Sequence, residues 1–443
     1  MIIDFAIENF LSIREEQRFS FVASGKIKDL PENTIELSVP GMKGAKLLKS
    51  AVIYGANASG KTNVLKGLEF LRKTVILSHI SLKPGQLFPL VPFKLDDHSF
   101  REPSRFEISF ILDNVRHEFG FSLLPDKVIE EHLHSYPLGT RRIWFERSLI
   151  EDIYDYKYGT RFKKDDVIEE KTRPNALYLS TGAQLNHSDL KRIYAWFEGL
   201  QMIFRADPQE TAEYVLDNKQ GDPIAGLLGQ ADLGICDVRV NRIEIDRARQ
   251  LEDVPYLEES VREVLRAVVR ALESLEGEVD TATSAIGVLT TKIAHRRRDS
   301  GEEVLLDLTE ESAGTQRYFS LLGPWLEALA GGRSICIDEI ERSLHPLLSR
   351  RIIEGFHNPD LNKHGAQLLA ATHDTTVLDQ DLFRRDQIWF TEKDENGATV
   401  LYPLTDFTVR KGEALQKGYL AGRYGAIPMI GANISLNGPE TAK

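Results

Sequence analysis

The residues most able to do chemistry form one run, Gly55-Ala56-Asn57-Ala58-Ser59-Gly60-Lys61-Thr62. It fits the pattern G-x-x-x-x-G-K-[ST] in full. Glycines at both ends let the backbone curl so that successive N–H groups face one point. A helix beginning there adds the positive end of its dipole. Such a loop binds phosphate. The spacing assigns the β- and γ-phosphates of ATP to Lys61 and a Mg²⁺ ion to the Thr62 hydroxyl, with Asn63 closing the nucleotide-binding set. A second run, Ser334-Ile335-Cys336-Ile337-Asp338-Glu339, is an apolar strand ending in two acids. Beside a phosphate loop, Asp338 is expected to hold Mg²⁺ through water and Glu339 to polarise an attacking water. Cys336 then belongs to the core.

These residues need particular elements to place them. Residues 50–54 (SAVIY) read as a short buried strand running into the glycine loop. Val64, Leu65, Leu68, Leu71 and Val75 then fall at helical spacing. Residues 2–13 and 17–23 read as strands, and 24–46 as loop. Four strand-like runs over 105–148, with tight turns at Asp113-Asn114 and Leu138-Gly139, predict an antiparallel sheet. An amphipathic helix is expected around Ile193, Trp196, Phe197 and Leu200. Another, Tyr256 to Leu275, carries a wide apolar stripe that suits a core-facing helix or a short coiled-coil contact. From 304 to 430, apolar runs at Val304–Leu308, Ser334–Ile337, Gln367–Ala371 and Gln387–Phe390 alternate with helical stretches, which implies a parallel sheet covered by helices.

Bulk properties narrow the function class. With 42% hydrophobic and 28% charged residues, the chain has the composition of a soluble globular protein. No apolar run is long enough for a membrane helix, and the start, MIIDFAIENFLSI, lacks the basic-then-apolar plan of a secretory signal. Two cysteines, Cys236 and Cys336, far apart, suggest neither disulfide nor metal site and fit a cytoplasmic setting. A net charge of −12 argues against a protein coated in nucleic acid. Arg296-Arg297-Arg298 or Arg141-Arg142 could still contact DNA locally, and Arg14 or Lys26 could approach a nucleotide phosphate. Asp379-Gln380-Asp381 mimics a metal pair but reads as a solvated helix start.

Two further motifs complete a family pattern. Glu311-Ser312-Ala313-Gly314-Thr315-Gln316, ahead of an apolar helix, lies where an ABC-type ATPase carries its signature sequence. Thr372-His373-Asp374 follows the strand QLLAA, where such ATPases place a switch histidine. With IENFLSI, YGANASGKTNVLKGL, IDEIERSLHP and THDTTVLD, the chain resembles the SMC-like, or RecF/OLD-like, branch of ABC-type ATPases. PFKLDDHSFREPSRFEISF, TRPNALYLSTGAQLN, RRDQIWFTEKD and YLAGRYGAIP are similar to a bacterial abortive-infection subgroup, the ATPases of the AbiLi, RloA, PtuA and AriA kind. The likeness is weakest over 205–300.

The resemblance implies an α/β P-loop NTPase of ABC-ATPase type, with an antiparallel β-subdomain and a mainly helical insertion. The expected lobes are 1–185, an insertion 186–300, a second ATPase lobe 301–430 and a flexible tail 431–443. It implies ATP and Mg²⁺ as cofactors, with Lys61, Glu339 and His373 catalytic and Thr62 and Asp338 at the metal. Ser312, Ala313, Gly314 and Thr315 would act in trans across a homodimer or higher oligomer. A separate effector, a Toprim or HNH nuclease, is the expected partner, in phage defence. A RecF-like DNA maintenance ATPase and a slowly hydrolysing ATP-dependent scaffold are the alternatives. The pattern does not place the Q-loop glutamine; Gln86 is one candidate.

Overall fold

A computed structural model describes residues 1–218, 223–231, 234–245 and 286–428. The chain divides into two compact units, one of residues 1–204, 328–341 and 349–443, the other of 205–327 and 342–348.

The first unit is built on two sheets. Strands β1 (Ile2–Glu8) and β2 (Gln17–Ser20) open the chain, and β3 (Thr34–Glu36) pairs with β4 (Lys46–Leu48). After β5 (Ser50–Gly55) and helix α1 (Lys61–Leu77) come β6 (Ser104–Leu112), β7 (Val115–Leu123), β8 (Val128–Ser135), β9 (Arg142–Ile150) and β10 (Ile153–Tyr158). These five run as a meander that β1 joins antiparallel to β6, giving the order β10-β9-β8-β7-β6-β1-β2. The four strand-like runs of 105–148 are therefore borne out, and Ile153–Tyr158 adds a fifth. Its alternating half-exposed pattern suits a sheet edge.

Helices α2 (Asp166–Lys171), α3 (Tyr178–Gln184) and α4 (Ser188–Glu198) precede β11 (Gln201–Ile203). Glu131 caps the start of α3, accepting from the Tyr178 and Leu179 N–H groups at 2.6 and 2.9 Å and satisfying donors that a helix start leaves open. Leu190, Ile193 and Phe197 of α4 lie in the first unit's core. That packing sets the division after Phe204, whereas the sequence places the insertion from 186.

The second sheet has the order β11-β15-β16-β5-β17-β18, where β15 is Ser334–Ile337, β16 Gln367–Ala371, β17 Ile388–Lys393 and β18 Thr399–Pro403. Its first five strands are parallel and β18 is antiparallel. β5, β15 and β16 are buried along their whole length, as strands covered on both faces must be. Helix α1 joins both sheets in one apolar core, where Ile7, Leu65, Leu68, Phe106 and Leu369 meet. It comes so close to β1 that a Cβ on Gly67 would sit 2.3 Å from Ile7 Cδ1. The amphipathic helix α8 (Pro346–His357) and the short α9 (Leu415–Leu420) complete the unit.

The second unit holds α5 (Pro208–Asp217), α6 (Pro223–Ala231), a long hairpin of β12 (Ile235–Ile245) and β13 (Ile286–Arg296), then β14 (Glu303–Asp307) and α7, which spans Ala313–Gly331 and runs on into the first unit. β12, β13 and β14 form an antiparallel sheet. The run Val304–Leu308 is thus not a member of the parallel sheet: it folds back on β13 through the turn at 297–302, where Arg297 N donates to Glu302 O at 2.8 Å. A short apolar run marks a strand, not which strand is its partner, and here Val304 and Leu305 are exposed. In the described part of 186–300, α4, α5 and α6 share the segment with β11 and the β12–β13 hairpin. The stripe Tyr256–Leu275 and the tail 431–443 lie outside the described residues.

Candidate functional site

The loop Gly55–Thr62 leaves the C-terminal end of β5 and enters α1, at the end of a parallel sheet where ligands of open α/β folds gather. Its shape demands small residues. Gly60 has φ +116°, and a Cβ there would lie 2.1 Å from Thr399 Oγ1; on Gly55 a Cβ would lie 2.5 Å from Thr391 O. Ala58 is held at φ +63°, a conformation that costs a non-glycine residue energy and gathers at functional sites.

A polar scaffold fixes the loop from outside. Thr399 Oγ1 donates to Ser59 O at 2.9 Å, and its backbone N–H donates to Ser12 O at 2.6 Å. Asn63 Nδ2 donates to Ser12 Oγ, itself 2.7 Å from Thr399 Oγ1. Ser59 Oγ lies 2.7 Å from Thr391 Oγ1. Ser12 and Thr391 lie in family-like stretches and Thr399 in none, but no local pattern assigns any of them to the loop; only the fold brings β17, β18 and the turn after β1 to it.

Lys61 is 5% exposed. Its ammonium donates to Gly55 O at 2.8 Å, Ala56 O at 3.0 Å and His373 Nδ1 at 3.3 Å. Burial lowers its pKa from 10.5 to about 8, against the pull of Asp338, Glu341 and Glu339. Thr62 Oγ1 donates to both Asp338 oxygens, at 3.0 and 3.2 Å. Burial raises the Asp338 carboxyl and lowers the His373 imidazole, the latter aided by the Lys61 charge. His373 is therefore neutral, with Nδ1 free to accept from Lys61 and its proton on Nε2. Lys61, Thr62, Asp338 and His373, read separately from the sequence, thus come together through direct hydrogen bonds.

Glu339 stands beside Asp338 with φ +48°. The strained turn ends β15 abruptly, and Ile340 N donates to Ala371 O at 3.2 Å, tying this turn to the end of β16. Glu341 belongs to IDEIERSLHP, a stretch matched to the family without a role for this carboxylate. Its Oε1 accepts from the His373 backbone N–H at 2.6 Å, and its Oε2 is buried with no hydrogen-bond partner. It couples the turn after Asp338-Glu339 to the histidine loop. Cys336 is buried, its thiol pushed up to about 12, and belongs to the core as expected.

The donors fit a nucleotide and a hard divalent cation. A desolvated ammonium stands at a left-handed glycine turn heading a 17-residue helix. A hydroxyl and a carboxylate, both oxygen donors of the kind Mg²⁺ prefers, lie beside it.

Ser312, Ala313, Gly314 and Thr315 belong to the second unit. Ser312 Oγ accepts from Thr315 N at 3.1 Å, so it caps α7. Ser312 and Ala313 are exposed. Ser312 borders a cleft of about 360 Å³ with Gly314, Thr315, Ser343, His345 and Leu348, and a Cβ on Gly314 would come 3.0 Å from Ser343 O. Gln86 is exposed and closes its own turn, accepting from Lys83 N at 3.0 Å. Asp379 pairs with Arg350 at 3.2 Å and accepts from Asp381 N, as a turn cap would. Arg14 meets Glu15 at 3.3 Å, and Lys26 is exposed. Among the described residues no helix is long and apolar enough to cross a membrane.

No curated protein is significantly similar to the chain. Among solved structures it is similar to the SMC head domain from Thermotoga maritima, at 11% identity and TM-score 0.39, over 92% of this chain and 99% of that one. It is similar also to the recombination mediator RecF bound to ATP, at 13% identity and TM-score 0.32, over 90% and 97%. The profile described as "AAA domain, putative AbiEii toxin, Type IV TA system" matches residues 50–379, a span that starts with β5 and takes in the phosphate loop, the Asp338-Glu339 pair and His373, and the chain belongs to that family.

Proposed function

We propose that this protein is a Mg²⁺-dependent ATPase of ABC type that dimerises around ATP and thereby controls a separate effector in antiviral defence. The observation that carries the ATPase reading is the hydrogen-bonded cluster of Lys61, Thr62, Asp338 and His373 at the start of α1. In it Gly55–Asn63 would cradle the phosphates, Lys61 would reach the β- and γ-phosphates, and Thr62 and Asp338 would hold Mg²⁺. Glu339 would orient and polarise water, and His373, tied to Lys61 and Glu341, would register the γ-phosphate. Bound Mg²⁺–ATP supplies the phosphoanhydride and the charge neutralisation such a transfer needs.

Exposed Ser312 and half-buried Gly314, at the head of α7, suit contact with the nucleotide of a second copy, which makes the interface two-fold and self-complementary. The family's description as a putative toxin supports the defence reading. The effector would be a nuclease of the Toprim or HNH kind.

The deciding experiment is Glu339→Gln. ATP binding should persist while turnover falls by about 100-fold or more; normal turnover would overturn the assignment, and Lys61→Ala that still binds ATP tightly would overturn the phosphate loop. Steeply salt-dependent, ATP-dependent binding of the chain to duplex DNA would move the reading to DNA maintenance. Single turnovers that a partner never accelerates would move it to a scaffold. Phage plating on cells carrying the gene with its neighbours, wild type against Glu339→Gln, tests defence.

A further inference from the structure

A second cluster of metal-ligating side chains lies on the antiparallel sheet of the first unit, apart from the phosphate loop. Glu118 of β7 and His134 of β8 are directly opposite each other, and His132 lies two residues before His134 on the same face. One ligand atom from each of Glu118, His132 and His134 falls within 4.8 Å of the other two. Opposite His132 on β7 is Gly120, where a Cβ would lie 2.5 Å from His132 Cε1, so the absent side chain is what lets that ring lie against the sheet. The two imidazoles stack, with centroids 4.8 Å apart.

His134 is held from both sides. Its Nδ1 is 3.3 Å from Glu118 Oε1 and its Nε2 is 3.0 Å from Glu146 Oε1 on β9. A metal-binding histidine is oriented in this way: one nitrogen faces the ion and the other donates to a carboxylate.

We propose that Glu118, His132 and His134 form a site for a first-row transition ion of the Zn²⁺ class, with Glu146 orienting His134. Two imidazoles and one carboxylate are a donor set that Zn²⁺ takes, with a fourth position left for water. The ion would cross-brace β7 and β8. Arg141 defines the metal-free arrangement: its Nη2 lies 2.8 Å from His134 Nε2 and 2.5 Å from Glu146 Oε1. A guanidinium only donates, so Nε2 accepts there and the imidazole proton is on Nδ1, facing Glu118. On metal binding the ring proton passes from Nδ1 to Nε2, Nε2–H donates to Glu146, and Arg141, 53% exposed at its side chain, turns away into solvent. The net change is one ion bound and, with the tautomer shift balanced, no proton lost from the ring.

The test uses the full untagged chain with excess Mg²⁺ present, so that Thr62 and Asp338 do not take the probe. ZnCl₂ is titrated by calorimetry, and CoCl₂ is followed by visible absorption, which reports nitrogen coordination. One equivalent is expected, with a rise in unfolding temperature. His132→Ala should abolish the equivalent and the cobalt band, Glu146→Gln should weaken binding about 10–100-fold, and Arg141→Ala should bind at least as tightly as wild type. His132 is the least enclosed of the imidazoles, and circular dichroism checks that its variant folds. No stoichiometric binding by the wild type, or undiminished binding by folded His132→Ala, overturns the proposal.

Discussion

Lys61 gives the sharpest test of the proposed phosphate site, because its ionisation is set by the fold. An ammonium with a pKa of 10.5 in the open chain is lowered to about 8 by burial. The unfolded chain therefore binds more protons between pH 8 and 10.5, so this group's penalty on folding is present below that window and is relieved as pH rises through it. Binding a polyanion does the reverse: it needs the charged form and restores the proton. In the free protein about half the lysines are protonated at pH 8 and about one in ten at pH 9. Apparent ATP affinity should thus fall about twofold from pH 7 to 8 and about tenfold from pH 7 to 9, with uptake of about half a proton per nucleotide at pH 8. His373 adds nothing in this range, since its shift is downward and leaves it neutral throughout. Calorimetry at constant Mg²⁺ and ionic strength, in two buffers of different ionisation heat, measures affinity and proton uptake together. Lys61→Arg, whose guanidinium does not titrate here, should show no pH dependence whatever its affinity. A flat wild-type profile with no proton uptake would refute the view that Lys61 is desolvated before nucleotide arrives.

Two further substitutions probe the frame. Arg147→Met removes the cation that stands 3.6 Å from Glu131 and 3.8 Å from the Tyr154 ring, both charged residues being 1% exposed. Urea unfolding should show a loss of about 3–5 kcal/mol, the cost of a buried carboxylate left unpaired; adding Glu131→Gln should recover part of it, and a loss below about 1 kcal/mol would contradict the pairing. Thr399→Val takes the hydroxyl from Ser59 O and Ser12 Oγ. Nucleotide affinity should drop about tenfold through an unsatisfied carbonyl in the loop, and Thr399→Ser should restore it; unchanged affinity in the valine variant would mean the scaffold does not shape the loop.

The chemistry was largely legible in the sequence because it depends on local order. Gly55–Thr62 must curl and start a helix within eight residues, so its pattern is contiguous. Asp338-Glu339 and His373 each end a short apolar strand, and buried parallel strands announce themselves as unbroken apolar runs. Partnerships were less legible. Val304–Leu308 looked like its parallel neighbours but pairs antiparallel with β13, since an apolar run marks a strand and not the identity of the strand alongside. The start of α3 was hidden because a carboxylate from β8, Glu131, supplies the cap that the local sequence lacks. Glu341, Ser12, Thr391 and Thr399 carry no local pattern that states their role: each acts through hydrogen bonds to residues distant in the chain.

By itself, then, the sequence determined which residues could meet phosphate and metal, and that a parallel sheet would present them. Only the tertiary structure decided that Lys61 is desolvated and bonded to His373, that Thr62 faces Asp338, and that Glu118, His132 and His134 converge on a different sheet. The physical reason is that residue type and short-range spacing fix what a side chain can do, whereas burial, pKa and hydrogen-bond partner are set by segments that fold in from elsewhere.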